Sequence, residues 1–470
     1  MRKKSLIGGI FILFVLSYSL AGVACAAQWA KAYGYGNYTD ETAYSVQQTI
    51  DGGFIVAGLK KTSGSSSYRY WIVKLTAEGV IEWEKDYIKG ANVPFNIELI
   101  DRDGDGKKDD GYIFAGVSDF FGDFGWTDLW LVRLGLTGDI KSQGYTGDEG
   151  VDQGRFIQQT SDRKYIIVGN TKSFDVDEID IWVYRLDPDS GTSWQETIGG
   201  AQEDKAVSVR ETSDKGYIIA AQSNSFGSSS LDWDYWIIKL NQDGNVQWHK
   251  TYGGDKTEYV SSIQQTADGG YIVAGYSSSF TTSFNGWIIK LDAQGAIQWQ
   301  KVYTGAYRAY SIDQTSDGGY IVAGTSTDMD ALIMKLYSDG TIEWQKTYGG
   351  SSHEEAHAIQ QTGDGGYIAA GYTESFGEGG GTSSPNFWVL KIDHNGEIPD
   401  CSAMGTPGVT ASDTSITPGT PTEINVQSVA TEWRDTSITP ADTEVAASEV
   451  CYHKGQTTGF LPAVNMLLAD

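Results

Sequence analysis

Several residue types are scarce in this chain of 470 residues, beginning with cysteine at three. One, Cys25, sits in an N-terminal stretch with the form of a secretory signal: Arg2, Lys3 and Lys4, an apolar run over residues 6–20, then small residues through Ala27. Ala24 and Ala26 suit cleavage before Ala27, so the mature chain is expected to keep Cys401 and Cys451, paired as one disulfide in an oxidising compartment. Basic residues are also few, 34 against 61 acidic, and losing the signal's three takes the formal net charge from −27 to −30. Such a surface excludes nucleic acid and anionic membranes as natural partners and favours solubility outside the cell and divalent cations. No later run of about 20 apolar residues exists to span a membrane, residues 452–470 included. Nine prolines and five methionines beside 58 glycines, 15 tryptophans and 27 tyrosines suit many short strands and turns rather than helices.

What is present is a repeat. Aligning the aromatic residue after a D-G-G-type turn gives Phe54, Tyr112, Tyr165, Tyr217, Tyr271, Tyr320 and Tyr367, spaced by 58, 53, 52, 54, 49 and 47 residues. A second column is Trp71, Trp130, Trp182, Trp236, Trp287, Leu332 and Trp388, and a third is Trp83, Trp194, Trp248, Trp299 and Trp344. Each unit offers four strands. In the fifth unit these fall at residues 262–266, 271–276, 287–291 and 296–303, with glycine turns closing the hairpins. One such sheet cannot bury both apolar faces, whereas seven stacked radially can. The expected fold is all-β: a seven-bladed β-propeller over residues 28–400. Residues 28–34, Q-W-A-K-A-Y-G, match a fourth strand yet precede the first unit, so they are expected to complete the last blade. From Cys401 the composition turns to Ser, Thr and Pro, with D-T-S-I-T-P at residues 413–418 and 435–440. Residues 401–470 are expected to form a small β module or a stalk.

The strongest chemical signal is D-R-D-G-D-G-K-K-D-D-G-Y at residues 101–112. Its carboxylates at loop positions one, three, five and nine, with glycine at six, predict one Ca²⁺ held by Asp101, Asp103, Asp105 and Asp109 and the Lys107 carbonyl. The loop resembles calcium loops of the EF-hand and integrin-propeller types, but Tyr112 stands where an EF-hand has glutamate. Residues 353–357, H-E-E-A-H, fit the zincin pattern, yet they align with a strand start, and histidines four apart on a strand stand roughly 13 Å apart. They are therefore read as a polar blade connection. Asp128, Asp180, Asp234, Asn285 and Asn386, two residues before the second-column tryptophan, are read as structural caps. The loops at residues 119–128, 223–234 and 374–386 differ between units, and Phe121, Phe124 and Trp126 are the expected ligand-binding patch.

The repeat D-G-G-Y-I-V-A-G-Y…W-I-I-K-L-D-x-x-G-x-I-x-W-Q-K-x-Y resembles the delta-sixty-type propeller repeat of secreted bacterial and archaeal proteins over residues 28–400. That resemblance implies architecture and not activity. The L-D-x-x-G-x-x-x-W turn is also similar to the tryptophan-docking repeat of quinoproteins, but adjacent cysteines are missing and no PQQ is expected. No G-x-S-x-G elbow, catalytic carboxylate pair or His-centred triad stands out. The expected function is thus a secreted, non-catalytic binding or surface protein, monomeric or part of a surface assembly, whose calcium-stiffened propeller presents loops to an extracellular protein or glycan. The alternatives are a carbohydrate-active enzyme with its site at the channel mouth and a structural component of the cell surface.

Overall fold

The computed structural model describes residues 27–453 apart from residues 35–39, 62–67, 91–94, 119–126, 227–231, 378–383, 415–424, 429–433, 436–440, 443–445 and a few isolated positions. The signal stretch and the patch at Phe121, Phe124 and Trp126 lie outside the described residues. All regular elements among the described residues are strands, in seven antiparallel sheets, each built on strands consecutive in the chain to which N- or C-terminal strands are added. The chain is a seven-bladed β-propeller, and the blades are numbered here from the one that begins at Asp40.

Blade 5 shows how the repeat folds. Its strands are Glu258–Gln265, Tyr271–Ser277, Asn285–Leu291 and Ile297–Thr304. Gly269 takes the left-handed conformation (φ +81°) that the first hairpin needs. Asp268 ties this turn together, accepting from Thr266 Oγ1 at 2.5 Å and Gly270 N at 3.0 Å. The third strand's Lys290, whose side chain is buried, reaches the same carboxylate at 2.8 Å. Partial burial raises the acid's pKa, but the bonds from Lys290, Thr266 and Gly270 outweigh it and hold Asp268 at about 2. The same lysine–aspartate clip joins Lys74 to Asp51, Lys239 to Asp214, Lys335 to Asp317 and Lys391 to Asp364 at 2.8–3.0 Å.

The core is not one mass but seven apolar layers, one at each blade interface. Between blades 4 and 5, for example, Tyr235, Ile237 and Tyr252 meet Tyr271, Trp287 and Leu291. Second-column tryptophans are 0–1% exposed in these layers, where truncation of a Trp costs roughly 3–5 kcal/mol. Third-column tryptophans dock sideways onto the next blade. Trp299 Nε1 donates to Ser338 O at 3.1 Å and Tyr303 Oη to Gly340 O at 2.7 Å, both in the turn of blade 6.

Gln28–Gly34 pairs antiparallel with Asn386–Ile392, placing Trp29 opposite Lys391, and so completes blade 7. Trp29 and Tyr33 then dock on the turn of blade 1 through Ala77 O at 3.0 Å and Gly79 O at 2.7 Å. The C-terminal segment, expected to be a separate module or stalk, instead runs round the outside of the ring. Met404–Gly405 pairs with the outer strand of blade 6, Thr410–Asp413 with blade 5, Asn425–Ser428 with blade 3, Arg434–Asp435 with blade 2 and Ala441–Asp442 with blade 1. Ala446–His453 returns to blade 7 against Gln28–Gly34. Six blades thereby gain a fifth strand and blade 4 keeps four among the described residues. The belt covers strand edges that would otherwise offer unpaired amides to other chains.

Deleting residues 28–34 removes a buried strand, a docked tryptophan and the belt's last partner at once. The melting temperature is expected to fall by at least about 10 °C. An unchanged thermal unfolding curve would show that closure does not depend on this strand.

Candidate functional site: the central channel

The first strands line the channel, and six of them carry a β-bulge at one place. The register skips Tyr44, Arg155, Val207, Ser261, Tyr310 and His357. A bulge leaves one residue out of the ladder and re-aims its side chain. All six line one cavity of about 390 Å³, where Phe95 of blade 2 joins them. Each of the seven stands three residues before the first position of a Q-Q-T signature: Gln47, Glu98, Gln158, Arg210, Gln264, Asp313 and Gln360. That offset was the available signal. Its content varies from blade to blade while the scaffold repeats, which is why alignment on aromatic columns passed over it.

The Q-Q-T residues staple blade to blade. Gln264 Oε1 accepts from Gln314 N of blade 6 at 2.7 Å, and Gln314 Oε1 accepts from Ala267 N of blade 5 at 2.8 Å. Equivalent bonds join Gln360 to Gln48 N, Gln47 to Leu99 N and Gln158 to Glu211 N. Three first positions depart from glutamine, and they put Glu98, Arg210 and Asp313 into the lower channel. Burial raises the pKa of Asp313, partly offset by the bond from Gln264 and the charge of Arg210.

The upper mouth, where the first strands begin, is aromatic and charged. Glu354–Gln361 is the first strand of blade 7, so the H-E-E-A-H stretch read as a polar blade connection enters the blade itself, and His353, Glu355 and His357 share a face two residues apart. His353 Nε2 lies 3.1 Å from Glu355 Oε1, and His357 Nε2 lies 2.7 Å from Glu355 Oε2. The two rings flank one carboxylate. Burial raises the pKa of Glu355, but hydrogen bonds from His353 and His357 prevail and hold it well below the usual carboxylate range; the Glu355 bond in turn raises His353. Tyr44 stacks on His357 at 5.1 Å, and Tyr310 meets it edge-on at 4.8 Å. Arg308 bonds Tyr310 Oη at 2.9 Å and lies 3.9 Å from Glu355.

The calcium-type loop replaces the first turn of blade 2 beside the lower mouth. Asp101, Asp103 and Asp110 offer oxygens within 4.8 Å of one another. Asp109 is not in this group, and Asp105 accepts from Lys107 N at 2.8 Å and Lys107 Nζ at 2.5 Å. Asp101 takes Gly104 N at 2.7 Å and Gly106 N at 3.0 Å, while Asp110 takes Arg102 N at 2.6 Å and Asp103 N at 2.9 Å. Three carboxylates thus each bring one oxygen near a common point, fewer than the six to eight oxygens of a filled Ca²⁺ shell.

The recurring acids of the third strand serve the blade interfaces. Asn285 caps Gly305 N at 3.3 Å and donates to Thr281 Oγ1 at 2.7 Å. At Asp128 and Asp234 it meets a second carboxyl, that of Asp152 and of Glu258. Asp234 faces Glu258 at the start of blade 5, across Gly253, where an added Cβ would lie 1.9 Å from Asp234 Oδ1 and 2.8 Å from Glu258 Oε2. Glu258 is held by Ser277 Oγ at 2.7 Å, Ser279 Oγ at 2.5 Å and Gly254 N at 2.8 Å. Burial, then the charge of Glu258, pushes Asp234 up to about 8.

No protein-family model matches this chain, and no curated protein does. Among solved structures, the crystal structure of Sqt1 from Chaetomium thermophilum is similar with a TM-score of 0.40 at 9% identity, covering 72% of this chain and 83% of that one.

A carboxyl whose folded pKa is raised keeps a proton that the unfolded chain has already lost above its ordinary value of 3.8. Its contribution is therefore complete below about pH 4 and is lost as pH rises toward 8. Asp234→Asn is expected to flatten the fall in melting temperature between pH 5 and 8 and to raise it by a few degrees at pH 8. Parallel pH profiles for the two proteins would refute this account of the pair.

Proposed function

We propose that this chain is a non-catalytic binding protein that works outside the cell, within the secreted repeat family it resembles, and recognises a glycan or protein at its channel and the surrounding loops. One observation carries the reading: the scaffold repeats in every blade, whereas the bulged residues facing the channel are Tyr44, Arg155, Val207, Ser261, Tyr310 and His357, five residue types at six equivalent positions. Recognition commonly resides in such variable positions on a rigid frame. The alternative, a carbohydrate-active enzyme, draws support from the non-repeating charges in the channel. Two of its acids, Glu355 and Asp313, stand at different levels: Arg308, 3.9 Å from Glu355, precedes Asp313 by five residues on one strand, roughly 15 Å of extended chain, against the span of about 5–9.5 Å used by glycosidase carboxylates. A panel of polysaccharides scored for binding and cleavage separates the two. Binding without products is expected; turnover would transfer the site to the enzyme class.

Within this reading, Ca²⁺ stiffens the first hairpin of blade 2 through Asp101, Asp103 and Asp110, with Asp105 and Asp109 available at the rim. The ion would neutralise a loop whose carboxylates otherwise rely on their own amides. Few carboxylates imply weak affinity, suited to millimolar Ca²⁺ outside cells. The belt would be sealed by Cys401 and Cys451; the Cys451 backbone lies opposite Ala30 of blade 7, and Cys401 packs on the cluster that contains Ala30. Calorimetry is expected to show one Ca²⁺ bound with a dissociation constant of about 0.1–1 mM, lost in Asp103→Ala. No heat at millimolar Ca²⁺ in the unaltered protein would remove the metal from the proposal.

A further inference from the structure

The arginines of the channel are not equally compensated. Arg308 has Tyr310 and Glu355 beside it, at 2.9 and 3.9 Å. Arg210 lies 4.4 Å over the ring of Phe156 and faces the charges of Glu98 and Asp313. Arg155 has neither. Its buried Nε, like that of Arg308, has no hydrogen-bond partner among the described residues, and the one ionisable group acting on Arg155 is the phenol of Tyr44. Desolvation lowers the pKa of Arg155, as it must when a cation leaves water without a counter-charge. A bulge is what turns this residue out of the ladder, at Gly154/Phe156.

We infer that the channel holds a small monoanionic carboxylate with a ring, of the uronic-acid class, its carboxylate on Arg155 and its ring against Tyr44 and Tyr310. This rests on the reading of the channel as a binding site and adds the ligand's chemistry. The guanidinium fork matches a carboxylate through two parallel hydrogen bonds. A single uncompensated charge matches a monoanion; a dianion such as phosphate would also meet the field of Asp313 and Glu98, which already face Arg210. The rings of Tyr44 and Tyr310 stand at the same bulge level as Arg155, and each is fixed against His357 at 5.1 and 4.8 Å. Fixed rings make a stacking surface at little entropic cost. A volume of about 390 Å³ admits one or two sugar rings. The net charge of −27 disfavours general anion binding on the surface, so selectivity falls to the channel.

The test is calorimetry at pH 7 on the mature chain with galacturonate, digalacturonate, galactose and inorganic phosphate, repeated with Arg155→Gln. Galacturonate is expected to bind at least tenfold more tightly than galactose or phosphate, and Arg155→Gln to weaken it by about 10–100-fold while leaving galactose unchanged. The variant should melt no lower than the unaltered protein, because an uncompensated charge has gone. If Arg155→Gln does not fold, Arg155→Lys, which keeps the charge without the fork, is expected to lose about tenfold. Equal binding of galacturonate and galactose, phosphate as tight as galacturonate, or full galacturonate affinity in a folded Arg155 variant would each overturn the inference. Should the unaltered protein bind a neutral polysaccharide but no uronate, this inference falls and the binding reading stands; should it bind nothing from either set, both fall.

Discussion

The docking of each blade on the next through its outer strand is the contact on which the rest depends. A tryptophan and a tyrosine from one fourth strand close over a glycine in the next blade's turn, and the glycine is fixed by two demands. Gly340 has φ +77°, and a Cβ on it would lie 2.8 Å from the indole of Trp299. The same approach, at 2.6–3.0 Å, recurs for Gly79 under Trp29, Gly138 under Trp83, Gly244 under Trp194, Gly295 under Trp248 and Gly396 under Trp344. Because Trp29 belongs to the N-terminal strand and Gly79 to blade 1, the contact that repeats along the chain also closes the ring. Blade 2, which supplies no tryptophan at this position, leaves the single interface without one.

This contact explains what could be read from the residues. Tryptophan columns, glycine turns and apolar strands are visible because burial and positive φ tolerate few residue types, so each unit solves the same problem the same way. The Q-W-A-K-A-Y-G copy at the N-terminus was legible for the same reason. The start of the first strands was not. In blade 5 the strand begins at Glu258 and not near residue 262, because E-Y-V-S-S is polar and its pairing is broken by the bulge at Ser261. Period-two reasoning fails where one residue is skipped. The calcium-type loop shows a similar limit, since spacing placed Asp109 toward the common point but the folded loop turns Asp110 there.

The belt was illegible for a different reason. Its strands of two to four residues along most of its path carry no periodicity, and their partners are edges that exist only once the propeller has formed. Its pairing nevertheless has a metric. The last paired residues on blades 3, 2 and 1 are Ser428, Asp435 and Asp442, seven residues apart. Seven extended residues reach about 23–25 Å, the scale of one step along the rim. The two D-T-S-I-T-P copies begin at Asp413 on blade 5 and Asp435 on blade 2, each the last residue of a belt strand.

The bulge separates the channel-facing residues from the contacts that hold the blades together. The apolar layers and the glutamine staples use residues in ladder register, so altering one disturbs a neighbouring blade. The bulged residue lies outside that register. Its backbone pairing is already forfeited, and its side chain meets the channel instead of a facing blade. Arg155 can therefore stand beside a glycine and a phenylalanine in blade 3 while His357 and Tyr310 occupy the same place in blades 7 and 6, with the scaffold bonds on either side unchanged. The charge that Arg155 brings is uncompensated because the blades around it supply Tyr44, Phe95 and Val207 at this level and not an acid. Stability alone would favour an acid or an apolar residue there, so this position departs from what the scaffold requires.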